Sequence, residues 1–223
     1  MPSTVFTRSI QAVRGLTVVA MLAVASVASA QTGGHIGARV FGVVDINQMA
    51  ASDSFKAVVD TSTLKAYGAG VDVTGLWKNL FARVAFTQAK KDGERAVVSG
   101  STVYPIGVPL SLTMTPIEVG AGWRFVSKSG SGRLTPYVGG GALLMKYKEE
   151  SPFGASGEDV DISKTGGVVF GGVDYIVVKP LVVGAEVQYR TVPDAIGDGG
   201  VSQDFGENDL GGVTFRIVFG VRF

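Results

Sequence analysis

Two segments of the sequence concentrate the carboxylate side chains that could bind a metal ion. Their members are Asp194, Asp198, Asp204 and Glu207 in one segment, and Glu149, Glu150, Glu158, Asp159 and Asp161 in the other. Calcium prefers oxygen ligands of this kind, but neither segment has the ligand spacing of an EF-hand loop. We therefore predict solvated acidic segments, with a calcium site as the alternative, and no metal or other cofactor.

Nucleophilic catalysis has few candidate groups in this chain. A serine nucleophile needs a base within hydrogen-bond reach, and the chain has one histidine, His35, and no cysteine. His35 lies at the predicted start of the first strand, far from the acidic segments. The sequence therefore predicts no catalytic residue and a protein that is not an enzyme.

The last fifteen residues, Asp209 to Phe223, have a clear period of two. From Val213 every odd position is apolar, whereas the even positions include Arg216 and Arg222. This period predicts a strand with one apolar face and one mixed face.

The same period predicts eight strands in all. The other seven are His35–Met49, Ala66–Trp77, a third strand around 82–87, a fourth ending at Phe125, Thr135 to about Lys148, about Gly166 to Val178, and Leu181–Val192. Short turns follow the second, fourth and sixth strands, and longer polar loops follow the others. We thus predict an all-β fold, an eight-stranded antiparallel transmembrane β-barrel with short periplasmic turns and longer outer loops.

Local details follow from the same pattern. Residues 50–64 are predicted as a loop, in which Phe55–Val59 could extend a strand, and Lys90–Arg95 as a water-exposed tip. Apolar residues of the fourth strand change parity, which predicts a bulge near Thr115 and Pro116. In the fifth strand, the apolar face is predicted to carry Tyr137, Leu143, Met145 and Tyr147.

The charged residues of the predicted strands lie opposite the apolar faces. They are Arg39, Asp45, Asp72, Arg83, Glu118, Arg124, Asp174, Glu186, Arg190, Arg216 and Arg222. A soluble barrel would have to bury these charges or expose the apolar face to water, and both are costly. We therefore predict lipid outside and a charge network in the lumen, either as a paired filling or as a gate around Arg216 and Glu186.

Aromatic residues are spaced as expected for a membrane-spanning strand. Tyr67 to Trp77 and Tyr137 to Tyr147 each span ten residues, which corresponds to about 25 Å for a tilted strand. The predicted membrane girdles consist of Tyr67, Trp77, Phe86, Trp123, Phe125, Tyr137, Tyr147, Tyr175, Tyr189 and Phe223.

The amino terminus reads as a cleaved secretory signal over residues 1–30, followed by a barrel domain over 31–223. Arg8 and Arg14 precede an apolar segment from Leu16 to Val27, and a small-residue cleavage site ends at Ala30. Removal of these two arginines from the 20 basic residues leaves 18, against 19 acidic residues. A net charge near zero gives no indication of nucleic-acid binding.

Three segments carry a resemblance to a known family: the PYVGGG strand from Pro136 to Gly141, the GAGWRF strand end at Phe125, and the terminal FGVRF. They resemble small outer-membrane barrels of the OmpA, OmpX and opacity-protein type. The resemblance implies the outer membrane of a Gram-negative-type bacterium. It also implies an insertion signal read by the barrel-assembly machinery, carried by Phe215, Ile217, Phe219, Val221 and Phe223. The sequence ends there, so the tethering role of OmpA-type proteins is not expected.

From the residues and the resemblance together, we expect a structural or surface-interaction role through the outer loops. A narrow gated pore for small solutes or ions is the alternative, and a lipid-modifying enzyme is a further alternative. The expected partners are outer-membrane lipid, lipopolysaccharide and an unknown extracellular ligand, and we expect a monomer.

Overall fold

Eight antiparallel strands close into a barrel in the computed structural model of the protein. Each strand pairs with its neighbours in sequence, and the last pairs with the first. The structure describes residues 36–99, 102–126, 133–151 and 160–223. The predicted signal peptide, His35, most of the turn from Ser127 to Arg133, Glu158 and Asp159 lie outside these residues.

The strands differ in length by about twofold. They are β1 (Gly37–Met49), β2 (Thr63–Thr74), β3 (Leu80–Ser99), β4 (Thr102–Arg124), β5 (Leu134–Glu150), β6 (Val160–Val178), β7 (Leu181–Thr191) and β8 (Gly212–Arg222). Two helices, α1 (Ser52–Val59) and α2 (Gly200–Asp204), lie in the connections after β1 and β7. Neither helix, nor any other among the described residues, is long and apolar enough to cross a bilayer.

Alternation along the strands sets the inside and the outside of the barrel. In β8, Thr214, Arg216 and Val218 are buried, and Phe215 and Ile217 between them are exposed. Side chains of a strand point alternately to opposite faces, so one face of each strand lines the lumen. The predicted eight-stranded antiparallel barrel is confirmed.

The first outer connection is a helix, so the prediction of a loop or a strand extension at Phe55–Val59 was wrong. Phe55 and Val59 lie on one side of α1 and are buried in the mouth of the barrel. Gly93 of β3 allows this contact, because a Cβ atom there would lie 2.0 Å from the Val58 carbonyl oxygen. Phe55 and Val59 are four residues apart and so lie on one face of a helix. A search for alternating apolar residues, which detects strands, does not detect this spacing.

The polar segment Lys90–Arg95 is not a hairpin tip. It continues β3, which pairs with β4 up to Ser99 and Thr102. Charged residues are tolerated there because this part of the hairpin lies beyond the apolar outer surface and faces water. The β3–β4 hairpin therefore protrudes further than the sequence pattern predicts.

The predicted bulge near Thr115 and Pro116 is also wrong. The β4–β5 register runs without interruption through Pro116, and the irregularity in the β3–β4 pair lies between Glu94 and Ala96 instead. Leu112 and Met114 keep their parity and point into the barrel, where both are buried. The parity change in the sequence reflects an apolar filling of the outer lumen.

The orientation predicted for the fifth strand was inverted. Tyr137, Leu143, Met145 and Tyr147 are at most 5% exposed and line the lumen. The opposite face, with Val138 and Leu144, is the exposed one. Both faces of β5 are apolar along its membrane-spanning part, and its outward Lys146 and Lys148 lie at the outer end, so charge did not identify the lumen face of this strand.

Candidate functional site

The lumen is the part of the molecule where chemistry-bearing side chains converge. All eleven charged residues of the predicted network project into it, and ten of them are at most 5% exposed. Arg222, at the end of β8, is the exception, with 28% of its side chain exposed. Six arginines face five carboxylates, so the lumen carries one excess positive charge.

Asp72 and Asp174 organise the end of the lumen that contains the chain terminus. The Asp72 carboxylate accepts bonds from Arg39 at 2.5 Å, Arg83 at 2.9 Å and Arg124 at 2.9 Å. Asp174 contacts Arg39 at 2.7 Å, Arg124 at 2.9 Å and Arg222 at 3.0 Å. Charge-assisted hydrogen bonds of this kind are the strong ones, and each carboxylate here serves three arginines.

Aromatic rings surround the guanidinium of Arg83. Its central carbon lies 4.6 Å from the Phe170 ring centroid, 5.2 Å from Phe41 and 5.5 Å from Phe81 and Tyr137. Ring faces attract a desolvated cation, so the rings both exclude water and stabilise the charge. Tyr137 therefore belongs to the lumen network.

A second cluster lies further toward the outer mouth, around Arg216. This arginine binds Asp45 through two bonds of 2.8 Å and Glu118 at 2.8 and 3.0 Å. Arg190 contacts Glu118 at 2.7 Å and Asp45 at 3.1 Å. Bidentate pairing fixes the guanidinium plane as well as its charge.

The predicted pair of Arg216 and Glu186 is not the main contact of either residue. Their separation is 3.5 Å, although they are opposite each other in the β7–β8 register. Glu186 instead contacts Arg83 at 2.5 Å, which joins the two clusters. Register placed the pair correctly, but long arginine side chains reach across the lumen to partners on distant strands.

An apolar plug fills the outer end of the lumen. We define it as the fifteen buried residues Met49, Ala51, Phe55, Val59, Leu64, Ala66, Ala89, Leu112, Met114, Leu143, Met145, Tyr147, Val192, Ala195 and Leu210. They come from strand ends and connections together with α1. A close-packed apolar layer above buried charges leaves water little room to enter from this side.

Acidic residues of the β7–β8 connection hold the plug in place. The Glu207 carboxylate accepts bonds from the backbone amides of Asp53 at 3.1 Å and Ser54 at 2.8 Å, and from the Ser54 hydroxyl at 2.6 Å. This caps the amino end of α1, whose amides lack intrahelical partners. Asp209 similarly accepts bonds from the Val192 and Gly211 amides, both at 2.6 Å.

Two small cavities lie at the plug. One, of about 20 Å³, separates the plug from Arg190 and Asn47 and has room for one water molecule. The other, of about 70 Å³, lies at the outer mouth between α1, α2 and Glu149. Burial raises the pKa of the Glu149 carboxyl, which accepts a bond from the Tyr147 hydroxyl. Neither cavity connects the two ends of the lumen within the described residues.

Two solved structures share this architecture at low sequence identity. Ail, the attachment invasion locus protein of Yersinia pestis, solved with the heparin analogue sucrose octasulfate, is 14% identical, with a TM-score of 0.51 over 84% of this chain and 99% of Ail. Neisserial surface protein A is 14% identical, with a TM-score of 0.50 over 86% of this chain and 98% of that protein. The chain has the small outer-membrane barrel fold. No protein-family model and no curated protein matches the sequence.

The exterior of this outer-membrane barrel is apolar, as a lipid-facing surface must be. The outward residues of β8, Phe215, Ile217 and Phe219, are 48 to 54% exposed. Of the predicted girdle residues, Tyr67, Trp77, Phe86, Phe125, Tyr175, Tyr189 and Phe223 are exposed, and Trp123 packs edge-on against Trp77. Tyr137 and Tyr147 do not belong to a girdle, because both point into the lumen.

Several carboxylates of the predicted acidic segments lie within the described residues. Among the described residues no group of three or more histidine, cysteine or acidic side chains could hold an ion. Glu207 is engaged with α1, and Asp194 accepts a bond from the Asn208 amide at 3.0 Å. In this outer-membrane barrel, acidic residues of the β7–β8 connection thus form hydrogen bonds that hold α1 and the connection in place at the outer mouth.

The apolar plug and α1 were missed by sequence reasoning. A signal existed in the fourth strand, where Leu110, Leu112 and Met114 share the parity of inward-facing Glu118. This parity requires a bulge only if all apolar residues of the strand are assumed to face lipid. An inward apolar stretch at the outer end of a strand should instead be considered as lumen filling.

Proposed function

We propose that this outer-membrane barrel is non-conducting and non-catalytic, and that its outer hairpin and connections form a surface for interaction outside the cell. The observation that carries the proposal is the filled lumen. Two linked ion clusters occupy its inner part, and the fifteen-residue plug occupies its outer part. An eight-stranded barrel has an interior just wide enough for such side chains.

The outer parts of the chain supply the working surface. Beyond the apolar band, β3 and β4 continue as a hairpin that exposes Val97, Tyr104 and Ile106, each 50 to 53% exposed. Apolar residues presented to water on a protruding hairpin are typical of recognition surfaces. Ail was solved with a sulfated sugar bound. We therefore include polyanions among the kinds of partner that the outer hairpin and connections would bind.

We propose that the barrel-assembly machinery inserts this chain into the membrane as a single copy. Pairing of β1 with β8 closes the sheet, so the closed part of the barrel has no free strand edge for another copy. The outward residues of β8 are the proposed insertion signal, and we propose a monomer surrounded by lipid and lipopolysaccharide.

Conductance measurements test the proposal directly. We expect purified protein in planar lipid bilayers to remain silent at all applied voltages, and Glu186→Gln to remain silent as well. The physical reason is that ions would have to displace both the paired charges and the plug, which together cost far more than thermal energy.

A gated anion pathway is the second candidate function. The lumen carries one excess positive charge, and the Nε atoms of Arg39, Arg124 and Arg222 are buried without a hydrogen-bond partner among the described residues. Reproducible single-channel events in the unmodified protein, changed by Glu186→Gln, would support this pathway and would contradict the sealed barrel.

A further inference from the structure

Three methionine side chains line the cavity that separates the apolar plug from the charge cluster around Arg216. They are Met49 at the end of β1, Met114 of β4 and Met145 of β5, and each is at most 5% exposed. The sequence has five methionines and no cysteine. The other two methionines, Met1 and Met21, lie in the predicted signal peptide. Every sulfur atom of residues 31–223 therefore belongs to a residue that lines this cavity.

Strands from two sides of the barrel bring the three methionines together. Pro116 pairs with Met145 and Met114 pairs with Tyr147, so Met114 and Met145 lie two register positions apart on neighbouring strands. Both point into the lumen. The strand that supplies Met49, β1, pairs with β2 and β8 and lies across the lumen from β5. Closure of the barrel thus creates the cluster, since no two of its members are close in sequence.

An unfilled space of about 20 Å³ remains at these side chains. Methionine is flexible and usually fills an irregular gap of this kind in a protein core. Packing alone therefore does not explain why three methionines border a space large enough for one water molecule or one metal ion. A bound ion that contacts the sulfur atoms would explain it.

The ligand chemistry of the cavity favours a soft cation. Thioether sulfur is a soft, neutral ligand that selects ions such as Cu(I). Zinc sites use thiolate, imidazole or carboxylate ligands, and calcium sites use oxygen ligands. Among the described residues, the cavity wall contains no histidine, cysteine, aspartate or glutamate. A singly charged soft cation is therefore favoured over a divalent ion.

The charge balance next to the cavity also favours a cation. The neighbouring cluster consists of Arg190, Arg216, Asp45, Glu118 and Glu186. Its two arginines face three carboxylates, of which Glu186 also contacts Arg83 of the other cluster at 2.5 Å. Arg190 lines the cavity, and its guanidinium is paired with Glu118 at 2.7 Å and Asp45 at 3.1 Å. The excess positive charge of the lumen therefore lies at the end that contains the chain terminus, away from the methionines.

We propose that Met49, Met114 and Met145 form a binding site for Cu(I) in the outer lumen. The site goes beyond the proposed surface interaction and does not depend on it. The ion would take the place of a water molecule in the cavity, with the three thioethers as its ligands. The plug covers the cavity on the outer side and the paired charges close it on the inner side, so the site would hold an ion and not pass it through.

Metal titration of the purified barrel in detergent micelles tests the proposal. The probes are Cu(I), kept reduced by ascorbate and titrated against a chromophoric chelator, and Ag(I), a soft monovalent analogue, in chloride-free buffer. We expect the unmodified protein to bind one ion per chain. We also expect Ag(I) to raise the urea concentration at the unfolding midpoint, because a ligand that binds only the folded state stabilises it. X-ray absorption at the silver edge should show sulfur neighbours.

The variant combines Met49→Leu, Met114→Leu and Met145→Leu. Exchange of methionine for leucine conserves side-chain volume and is among the best tolerated core changes. We expect this triple variant to lose both the binding of Cu(I) and Ag(I) and the shift of the unfolding midpoint. Intact mass measurement verifies that the methionines of the unmodified protein are not oxidised, because a sulfoxide removes the thioether ligand.

The matched control combines Leu112→Ile and Leu143→Ile. Both residues belong to the plug and do not line the cavity, so the change perturbs packing and leaves the three thioethers in place. We expect this control to bind both ions like the unmodified protein. Heat-dependent mobility in electrophoresis checks the folding of each variant.

Equal binding of Cu(I) and Ag(I) by the folded triple variant and the unmodified protein would overturn the proposal. So would displacement of Cu(I) by excess Zn²⁺, or silver that is surrounded by oxygen and nitrogen alone. The absorption measurement uses the unmodified protein, and residues 31–223 offer no sulfur outside this cavity. The test therefore remains decisive even if a variant does not fold.

Discussion

Replacing Asp72 with asparagine is expected to lower the free energy of unfolding by about 3–5 kcal/mol, the cost of breaking a buried ion pair. Asp72 is fully buried and contacts three arginines within 2.9 Å. A neutral amide at this position would leave Arg39, Arg83 and Arg124 with less negative charge in a lumen that already has one excess positive charge. Reversible urea unfolding in phospholipid vesicles, followed by tryptophan fluorescence, measures the change.

Asp53→Asn is the matched control for this charge removal. Asp53 pairs with Lys56 at 3.1 Å on the surface of α1, and the side chains are 59% and 57% exposed. Exposed pairs contribute about 0–1 kcal/mol, so we expect a small change. If Asp72→Asn were no more destabilising than Asp53→Asn, the lumen network would not be a source of stability.

Ile217→Arg is expected to destabilise the barrel in lipid by about 2–4 kcal/mol, the cost of an arginine on the lipid face at the bilayer midplane. Ile217 is the central outward residue of β8 and is 48% exposed. The introduced side chain would have no partner there and could not reach water without distorting the bilayer. Urea unfolding in vesicles again provides the measurement.

The control for Ile217→Arg is an arginine on the same face of β8 but near the edge of the bilayer. Val213 is an outward residue at the opposite end of β8 from the chain terminus, where arginine costs about 0–1 kcal/mol because headgroups and water are near. Equal destabilisation by Val213→Arg and Ile217→Arg would contradict a lipid-exposed exterior, because an aqueous or protein-covered surface has no such depth dependence.

Strands with charge on one face could be oriented from the sequence alone. In β7, Glu186 and Arg190 share a parity, and Val187 and Tyr189 the other, so burial of the charged face was the favourable choice wherever lipid lies outside. The same reasoning placed eleven charged residues on the lumen side. It identified the lumen but not its partners, since arginine side chains reach beyond the adjacent strand.

A strand whose charged residues all lie at its outer end, such as β5, could not be oriented in this way. In β5 the inward Leu143 and Met145 and the outward Val138 and Leu144 are equally apolar, and a shift of one residue exchanges the faces without changing the pattern. Their orientation depends on what fills the lumen. That filling includes α1, whose burial is a tertiary interaction between the first connection and β3.

Fluorescence quenching by lipids with brominated acyl chains tests the division between lipid face and lumen most directly. Phe219 of β8 and Phe41 of β1 are suitable sites, because Phe219 pairs with Gly42 and Phe41 with Gly220, which places them at one depth. Phe219 is 54% exposed and Phe41 is 2% exposed. Each would be replaced by tryptophan in a background with Trp77→Phe and Trp123→Phe.

A barrel with an apolar lipid face and a filled lumen predicts strong bromine quenching for Phe219→Trp and little quenching for Phe41→Trp in the same vesicles. Equal quenching at both sites, or stronger quenching at Phe41→Trp, would contradict a barrel whose charged lumen is shielded from lipid by its apolar outer face.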